Sequence, residues 1–254
     1  MKILLSPAKS LDFTRECAVP ETSQPQFIKE AGYLVQKLQS FSAKKLAKLM
    51  SLSPQLAELN FNRFQNWVEP KLLSNEVKPA VTVFTGEVYR GLDILNFSTS
   101  DFRFAQKKLF ILSGLYGILK PLDLMFPYRL EMGTKWEITP KNKNLYAFWG
   151  SKIANMINES TNENETVLNL ASNEYYKVVD QKILKRRVIT PVFKELKGNQ
   201  LKVIMMYAKH ARGAMAKEII QNRIENVNEL KHYGVDGYRY DEKISTENEW
   251  VFVR

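Results

Sequence analysis

Cysteine and histidine are nearly absent from this chain: one cysteine, Cys17, and two histidines, His210 and His232, in 254 residues. A single thiol excludes a disulfide framework and a cysteine-based zinc site, and it fits a reducing compartment. Neither histidine lies in an HxxxH or HxxE pattern, so a histidine-based iron or zinc centre is not expected. Cys17 has no second cysteine to resolve it and stands beside Glu16, which argues against a redox thiol. No metal and no cofactor are expected.

Long hydrophobic runs are missing too. The longest, Leu109 to Leu119, is broken by Ser113, Gly114 and Gly117 and falls short of the roughly 18 residues a membrane span needs. Met1 to Leu5 runs straight into Ser6-Pro7, too short for a signal-peptide core. No membrane partner is expected, and the expected location is the cytoplasm. The chain has no GxGxxG, no GxxxxGK[ST] and no GxSxG, which counts against dinucleotide folds, P-loop NTPases and α/β-hydrolases. Gly114-Leu115-Tyr116-Gly117 matches a GxxG nucleic-acid loop only formally, because its apolar centre reads as a plain turn.

What remains is an ordinary globular composition, 44% hydrophobic and 25% charged, in a chain long enough to bury a core without staples. Lys plus Arg is 37 against 27 Asp plus Glu, for a net charge of +10. The excess is uneven. Between Gln181 and Arg223 lie Lys182, Lys185, Arg186, Arg187, Lys194, Lys197, Lys202, Lys209, Arg212, Lys217 and Arg223, opposed only by Glu195 and Glu218. Such a field attracts polyanions, with an affinity that falls steeply with salt.

Five short apolar runs each lead into small or polar residues: Ile3–Leu5 into Ser6 and Lys9, Val81–Phe84 into Thr85, and Leu109–Leu112 into Ser113. Val167–Leu170 leads into Ser172 and Asn173, and Val203–Met206 into Lys209. Such runs suit strands buried on both faces. If these strands are mostly parallel, their polar ends share the edge where α/β proteins bind ligands. Helical patterns cover residues 26–50 and 209–230, and Asn158 to Thr166 reads as a solvated loop. The expected fold is a single mixed α/β domain, residues 1–254, with a central largely parallel sheet and a helical insertion between residues 26 and 70.

Within that insertion, Leu46 to Leu59 reads as helix, tight hairpin, helix, with Ser53 as N-cap and Pro54 at the first position of the second helix. The unit at about 42–67 resembles a helix-hairpin-helix, whose exposed backbone N–H groups grip a phosphate. The usual hairpin glycines are Ser51 and Ser53 here. The segment 113–134, SGLYGILKPLDLMFPYRLEMGT, gathers Tyr116, Lys120, Asp123, Tyr128, Arg129 and Glu131 in a Gly/Pro-punctuated loop. Arg129 reads either as an anion ligand oriented by Glu131 or as half of an ion pair that pins the loop.

MKILLSPAKSLDF at the start, FTGEVYRGLD at 84–93, ILSGLYGILKPLDLMFPYRLEMGT at 111–134, NLYAFWG at 144–150, NLASNEYYKVV at 169–179, YAKHARGAMAKEIIQNRI at 207–224, GYRYD at 237–241 and the closing WVFVR together resemble the YaaA family, in order and over nearly the whole chain. The resemblance implies a cytosolic protein of the bacterial hydrogen peroxide response, linked to lower free iron, with an unusual mixed fold. It also implies DNA binding through a helix-hairpin-helix and a basic cleft drawing on Lys9, Lys209 and Arg212. It implies no catalytic role for any residue.

The leading expectation is a DNA-binding protein of the oxidative stress response that grips duplex DNA, bent or branched forms included, by its phosphates with little sequence preference, limiting iron-dependent damage. Its expected contacts are Lys9, Lys48, Ser51, Ser53, Arg90, Arg129, Lys185, Arg186, Arg187, Lys209 and Arg212. For about five neutralised phosphates, log affinity falls against log salt with a slope of roughly −4 to −5. The alternative is an enzyme acting on a nucleotide or phosphorylated small molecule. Its pocket would be lined by Ser6, Thr85, Tyr89, Ser113, Tyr116, Asn173 and Tyr175. Lys9, Arg129 and Lys209 would hold the anion, and Glu87, Glu131 or Tyr116 would transfer protons; Lys9, Tyr116 and Glu131 are the foremost catalytic candidates. A third reading turns the basic span toward ribosomal RNA. The sequence leaves the oligomeric state open.

Overall fold

A computed structural model describes all 254 residues. The chain begins with β1 (Lys2–Leu5), α1 (Ile28–Gln39), α2 (Ala43–Met50) and α3 (Pro54–Gln65). It continues through β2 (Lys78–Pro79), α4 (Ala80–Val83), α5 (Glu87–Leu92) and α6 (Thr99–Lys108). Then come β3 (Leu109–Ser113), β4 (Gly117–Leu119), β5 (Leu124–Met125), α7 (Leu145–Trp149) and α8 (Lys152–Glu159). The last part holds β6 (Val167–Asn169), α9 (Asn173–Tyr176), β7 (Val188–Lys197), β8 (Gln200–Lys202), α10 (Met205–Gln221), β9 (Arg239–Tyr240) and β10 (Glu249–Val253).

The main sheet runs β4-β3-β1-β6-β7-β10-β9, with β8 folded back on β7. The five strands from β3 to β10 are mutually parallel; β4, β8 and β9 are antiparallel additions. β3 and β6 are buried at every position, and β1 at all but its first. Helices on both faces explain why these strands read as unbroken apolar runs.

Two of the five expected strands are corrected. Val81–Phe84 is not a strand: Ala80–Val83 is a single helical turn, and the Thr82 hydroxyl donates to the Pro79 carbonyl at 2.8 Å. Four buried apolar residues look alike in a strand and in an enclosed helical turn, so periodicity could not separate them. Val203–Met206 is not a buried strand either. Val203, Met205 and Met206 are all exposed, and Met205 starts α10. The parallel sheet takes β7 and β10 instead. Pro191 stands inside β7, where its missing N–H falls beyond the last β6 pairing at Ile189, so no ladder bond is lost. The expected 209–230 helix begins earlier and ends at Gln221, because Arg223 turns to φ 56. Helices α1 to α3 occupy the expected helical insertion.

α10 runs across α5 at a crossing built on two glycines. A Cβ on Gly213 would lie 1.8 Å from the Val88 carbonyl oxygen, and one on Gly91 2.1 Å from that of His210. Only hydrogen fits at either point.

Asp123 is buried and fixed. It accepts from the Ser23 hydroxyl at 2.6 Å and the Lys120 amide at 2.8 Å, yet burial still pushes its carboxyl up to about 6. A raised folded value means that the associated stability is present at pH below about 4 and is lost as pH rises through about 6. Two units correspond to about 3 kcal/mol. Asp123→Asn is therefore expected to remove most of the decline in unfolding free energy between pH 4 and 8, measured by urea denaturation. An unchanged decline in the variant would refute this assignment.

Candidate functional site

The register of the parallel strands separates the molecule into two edges. Lys2, Val167 and Val188 are aligned at the amino edge, and Leu5 and Ile111 at the carboxyl edge. The carboxyl edge carries a cleft of about 850 Å³. Its floor includes Lys9 after β1, Glu131 and Gly133–Glu137 after β5, and Glu174 in α9. Its opposite wall is α2, with Lys45, Lys48, Leu49, Met50 and the following Ser51.

Beneath the cleft the strand-end loops are locked together by their own hydrogen bonds. The Ser172 amide donates to Ser6 Oγ at 2.8 Å, and the Tyr89 hydroxyl donates to the Ser6 carbonyl at 3.0 Å. Ser113 Oγ and the Tyr128 hydroxyl are 2.6 Å apart. Thr85 Oγ1 donates to the Ser10 carbonyl. Burial pushes the Tyr89, Tyr128 and Tyr175 phenols far above their ordinary value, so these groups stay neutral. Asn173 is exposed in α9. The residues expected to line an open pocket thus include a filled, hydrogen-bonded layer.

Tyr116 belongs to that interior. It is fully buried; its hydroxyl accepts from the Trp67 indole at 3.2 Å and the Phe126 amide at 3.0 Å. Desolvation pushes it up to about 12. It lies outside the cleft, and its hydroxyl ties Trp67, just past the end of α3, to Phe126. The Gly/Pro punctuation of 113–134 serves packing in the same way: a Cβ on Gly114 would lie 2.2 Å from the Leu130 carbonyl oxygen.

At the floor, Glu131 Oε1 takes both Arg129 Nε and Nη2 at 3.0 Å and Lys9 Nζ at 3.4 Å. Glu174 Oε1 accepts from the Gly133 amide at 3.0 Å. Lys45, Lys48 and Lys135 are exposed around the same opening. Arg63, absent from the sequence-based candidates, is half-buried on α3, where burial and, to a lesser degree, the charge of Arg129 push its guanidinium below its ordinary value, and no ion pair or hydrogen bond engages it. Its position three residues after a buried asparagine, Asn60, and four before Trp67 was the only available signal.

The turn between α2 and α3 is compact. Ser51 adopts φ 52, ψ 51, Ser53 Oγ accepts from the Leu56 amide at 3.3 Å, and Pro54 opens α3. The exposed amides of Ser53 and Gln55 have no protein partner. An L-residue in the left-handed region costs about 1 kcal/mol. Ser51→Gly is expected to raise the unfolding free energy by about 0.5–1 kcal/mol, read from the urea midpoint; a lower midpoint would count against the strain.

The basic span from Lys182 to Arg223 does not gather at this cleft. Lys185, Arg186 and Arg187 immediately precede β7 and lie at the amino edge. There Arg186 donates to the Asn158 and Thr161 carbonyls, and Arg187 to the Glu247 carbonyl. Lys217 pairs with Asp93 and Arg223 with Asp101, both at 2.8 Å. Arg90 pairs with Glu87 at 2.7 Å. Lys209 is exposed on α10, and Arg212 is largely desolvated there with an unpartnered Nε. Folding divides the span because β7, β8 and α10 carry it from one edge to the other and back.

No cluster of three or more His, Cys, Asp or Glu side chains is placed to hold a metal ion. No helix is long and apolar enough to cross a membrane.

These features define a mixed α/β protein with a lysine-rimmed cleft at the carboxyl edge of its sheet and a two-helix hairpin as one wall. The chain belongs to the peroxide stress protein YaaA family, whose model matches residues 1–244, and its role lies in oxidative stress. It is similar to a UPF0246 protein of Marinomonas sp. (strain MWYL1), 47% identical over 254 residues, covering 100% of this chain and 97% of that one. A UPF0246 protein of Aliivibrio fischeri (strain MJ11) is 48% identical over 256 residues, covering 100% and 98%.

Proposed function

We propose that this peroxide stress protein binds duplex DNA through its phosphate backbone, using the α2–α3 hairpin and the lysines of the carboxyl-edge cleft. The observation that carries the reading is the coincidence of two phosphate-binding devices. The free amides of Ser53 and Gln55 open α3, and Lys45, Lys48, Lys9 and Lys135 surround the cleft next to them. Backbone amides at a helix start hold an anion by direct donation, and the lysines supply the longer-range attraction. Neither reads base edges, so little sequence preference is expected. The contact set is smaller than the sequence suggested, because Lys185, Arg186 and Arg187 face the other edge.

About four neutralised phosphates give a slope of log affinity against log salt of roughly −3 to −4. Fluorescence anisotropy of a labelled duplex at several salt concentrations measures it. A salt-independent affinity would overturn the proposal.

A further inference from the structure

The strands of the main sheet do not end level. Ile3, Leu168 and Ile189 are aligned across β1, β6 and β7. β1 stops two residues further on, at Leu5, whereas β7 continues for eight, to Lys197. At about 3.3 Å per residue, the tip of β7 stands about 20 Å beyond the edge that carries the cleft. β10 accompanies it only to Val253, opposite Lys194. Past that point its strand neighbour is β8, which folds back through the Gly198–Asn199 turn. Glu195 pairs there with Lys202, Leu196 with Leu201 and Lys197 with Gln200. Every residue from Leu196 to Val203 is exposed.

This ribbon is firmly rooted and carries charge of one sign. Glu195 takes Arg254 Nε through both carboxylate oxygens, at 3.0 and 2.9 Å, and accepts from the Tyr238 hydroxyl. The Leu196 amide donates to the Arg254 carbonyl at 2.9 Å. Glu195 is the only acid between Lys194 and Lys209, and Lys194, Lys197 and Lys202 enter no ion pair. Directly opposed residues share a face, and successive ones alternate. Leu196 and Leu201 therefore stand side by side on one face, with Lys197 and Lys202 on the other. The two leucines are 60% and 37% exposed, so the fold does not account for their being apolar.

An apolar pair on a lysine-bearing ribbon suits a partner that is anionic outside and apolar within, as a stacked duplex is. Proteins that enter the minor groove drive such side chains between base steps and bend the DNA. Lysine on an open strand edge disfavours pairing with a second copy of the chain. β7 lies two strands from β1, about 10 Å to the side, and its ribbon rises from the same edge as Lys9. A duplex held at the cleft is within its reach.

We propose that the β7–β8 ribbon is a second DNA contact, which enters the minor groove and sets Leu196 and Leu201 against an opened base step. The inference rests on the duplex reading of the cleft but uses none of the cleft's residues. Lys197 and Lys202 draw the ribbon to the phosphates on either side, and the leucines replace part of the stacking that the bend disrupts.

The test uses a duplex labelled at both ends for energy transfer and the full chain in three forms: unsubstituted, Leu196→Ser with Leu201→Ser, and Leu196→Met with Leu201→Met. The unsubstituted protein is expected to raise the transfer as the duplex bends. The serine variant is expected to bind about tenfold more weakly and to leave the transfer at the free-duplex value. The methionine variant keeps the apolar bulk and should bend the duplex as its parent does. Netropsin, which fills the minor groove of A·T-rich DNA, is expected to weaken the unsubstituted protein about tenfold and the serine variant hardly at all. All substituted positions are exposed, so the urea midpoint should not move. Duplex binding with equal transfer in all three proteins and no response to netropsin sinks the ribbon alone and leaves the cleft reading standing. Absence of duplex binding in every form overturns both. A serine variant that bends DNA normally but sediments as a smaller species than its parent would assign the leucines to contact between copies, and would overturn the proposal.

Discussion

Reversing two charges on one helix, Lys45→Glu with Lys48→Glu, is expected to lower the affinity for duplex DNA about 100-fold near 0.1 M salt and to cut the salt slope by roughly 2. Both side chains are exposed on α2 and line the cleft. Neither forms an ion pair, so the exchange leaves no buried group without a partner. Lys45 does lie over the Phe41 ring at 3.5 Å, and losing that cation–π contact costs about 0.5–1 kcal/mol at an exposed site, too little to unfold the protein. Circular dichroism should therefore show a folded variant. A matched reversal at the amino edge, Lys185→Glu with Arg187→Glu, is expected to change affinity only a few-fold through the long-range field. Anisotropy on the two double variants decides the matter: equal losses would mean that the sequence-wide charge, rather than the cleft, drives binding.

The second large effect concerns folding. Gly213→Ala is expected to destabilise the protein by at least 3 kcal/mol, as overpacking of a tight helix crossing does. The added carbon would lie 1.8 Å from the Val88 carbonyl and 2.8 Å from the Leu92 amide. Both are backbone atoms that no rotamer change can move aside. α10 would have to lift from α5, displacing the carriers of Lys209 and Arg212 and breaking the Lys217–Asp93 contact. Gly198→Ala is the control: the turn between β7 and β8 has open space around it, and only its φ of 59 is unfavourable, a penalty of about 1 kcal/mol. Urea unfolding of the two variants checks the contrast; similar small losses in both would show that the crossing can relax.

Legibility followed the range of the forces involved. β1, β3 and β6 were readable because strands covered on both faces must be apolar throughout. The α2–α3 hairpin was readable because its cap and first-turn proline are local signals. Val81–Phe84 misled because enclosure, not periodicity, made it apolar. Val203–Met206 misled because its residues are exposed, a property no short window reports. β7 was missed although its burial alternates, since Pro191 and the lysines around it mask the pattern, and β10 lies at the chain end with only five residues. Arg63 escaped notice because its lack of a partner is a statement about space.

By itself, the sequence determined the class of fold, the positive balance, the hairpin and the family to which the chain belongs, all properties of composition and near neighbours. Tertiary structure alone decided which cations share a surface. The run from Lys182 to Arg223 is continuous along the chain, but a parallel sheet has two edges some strand-length apart, and the chain must cross between them. Charges a few residues apart were therefore sent to opposite edges, whereas Lys9, Lys48 and Glu131, remote along the chain, were brought to one cleft by the shared direction of the strands.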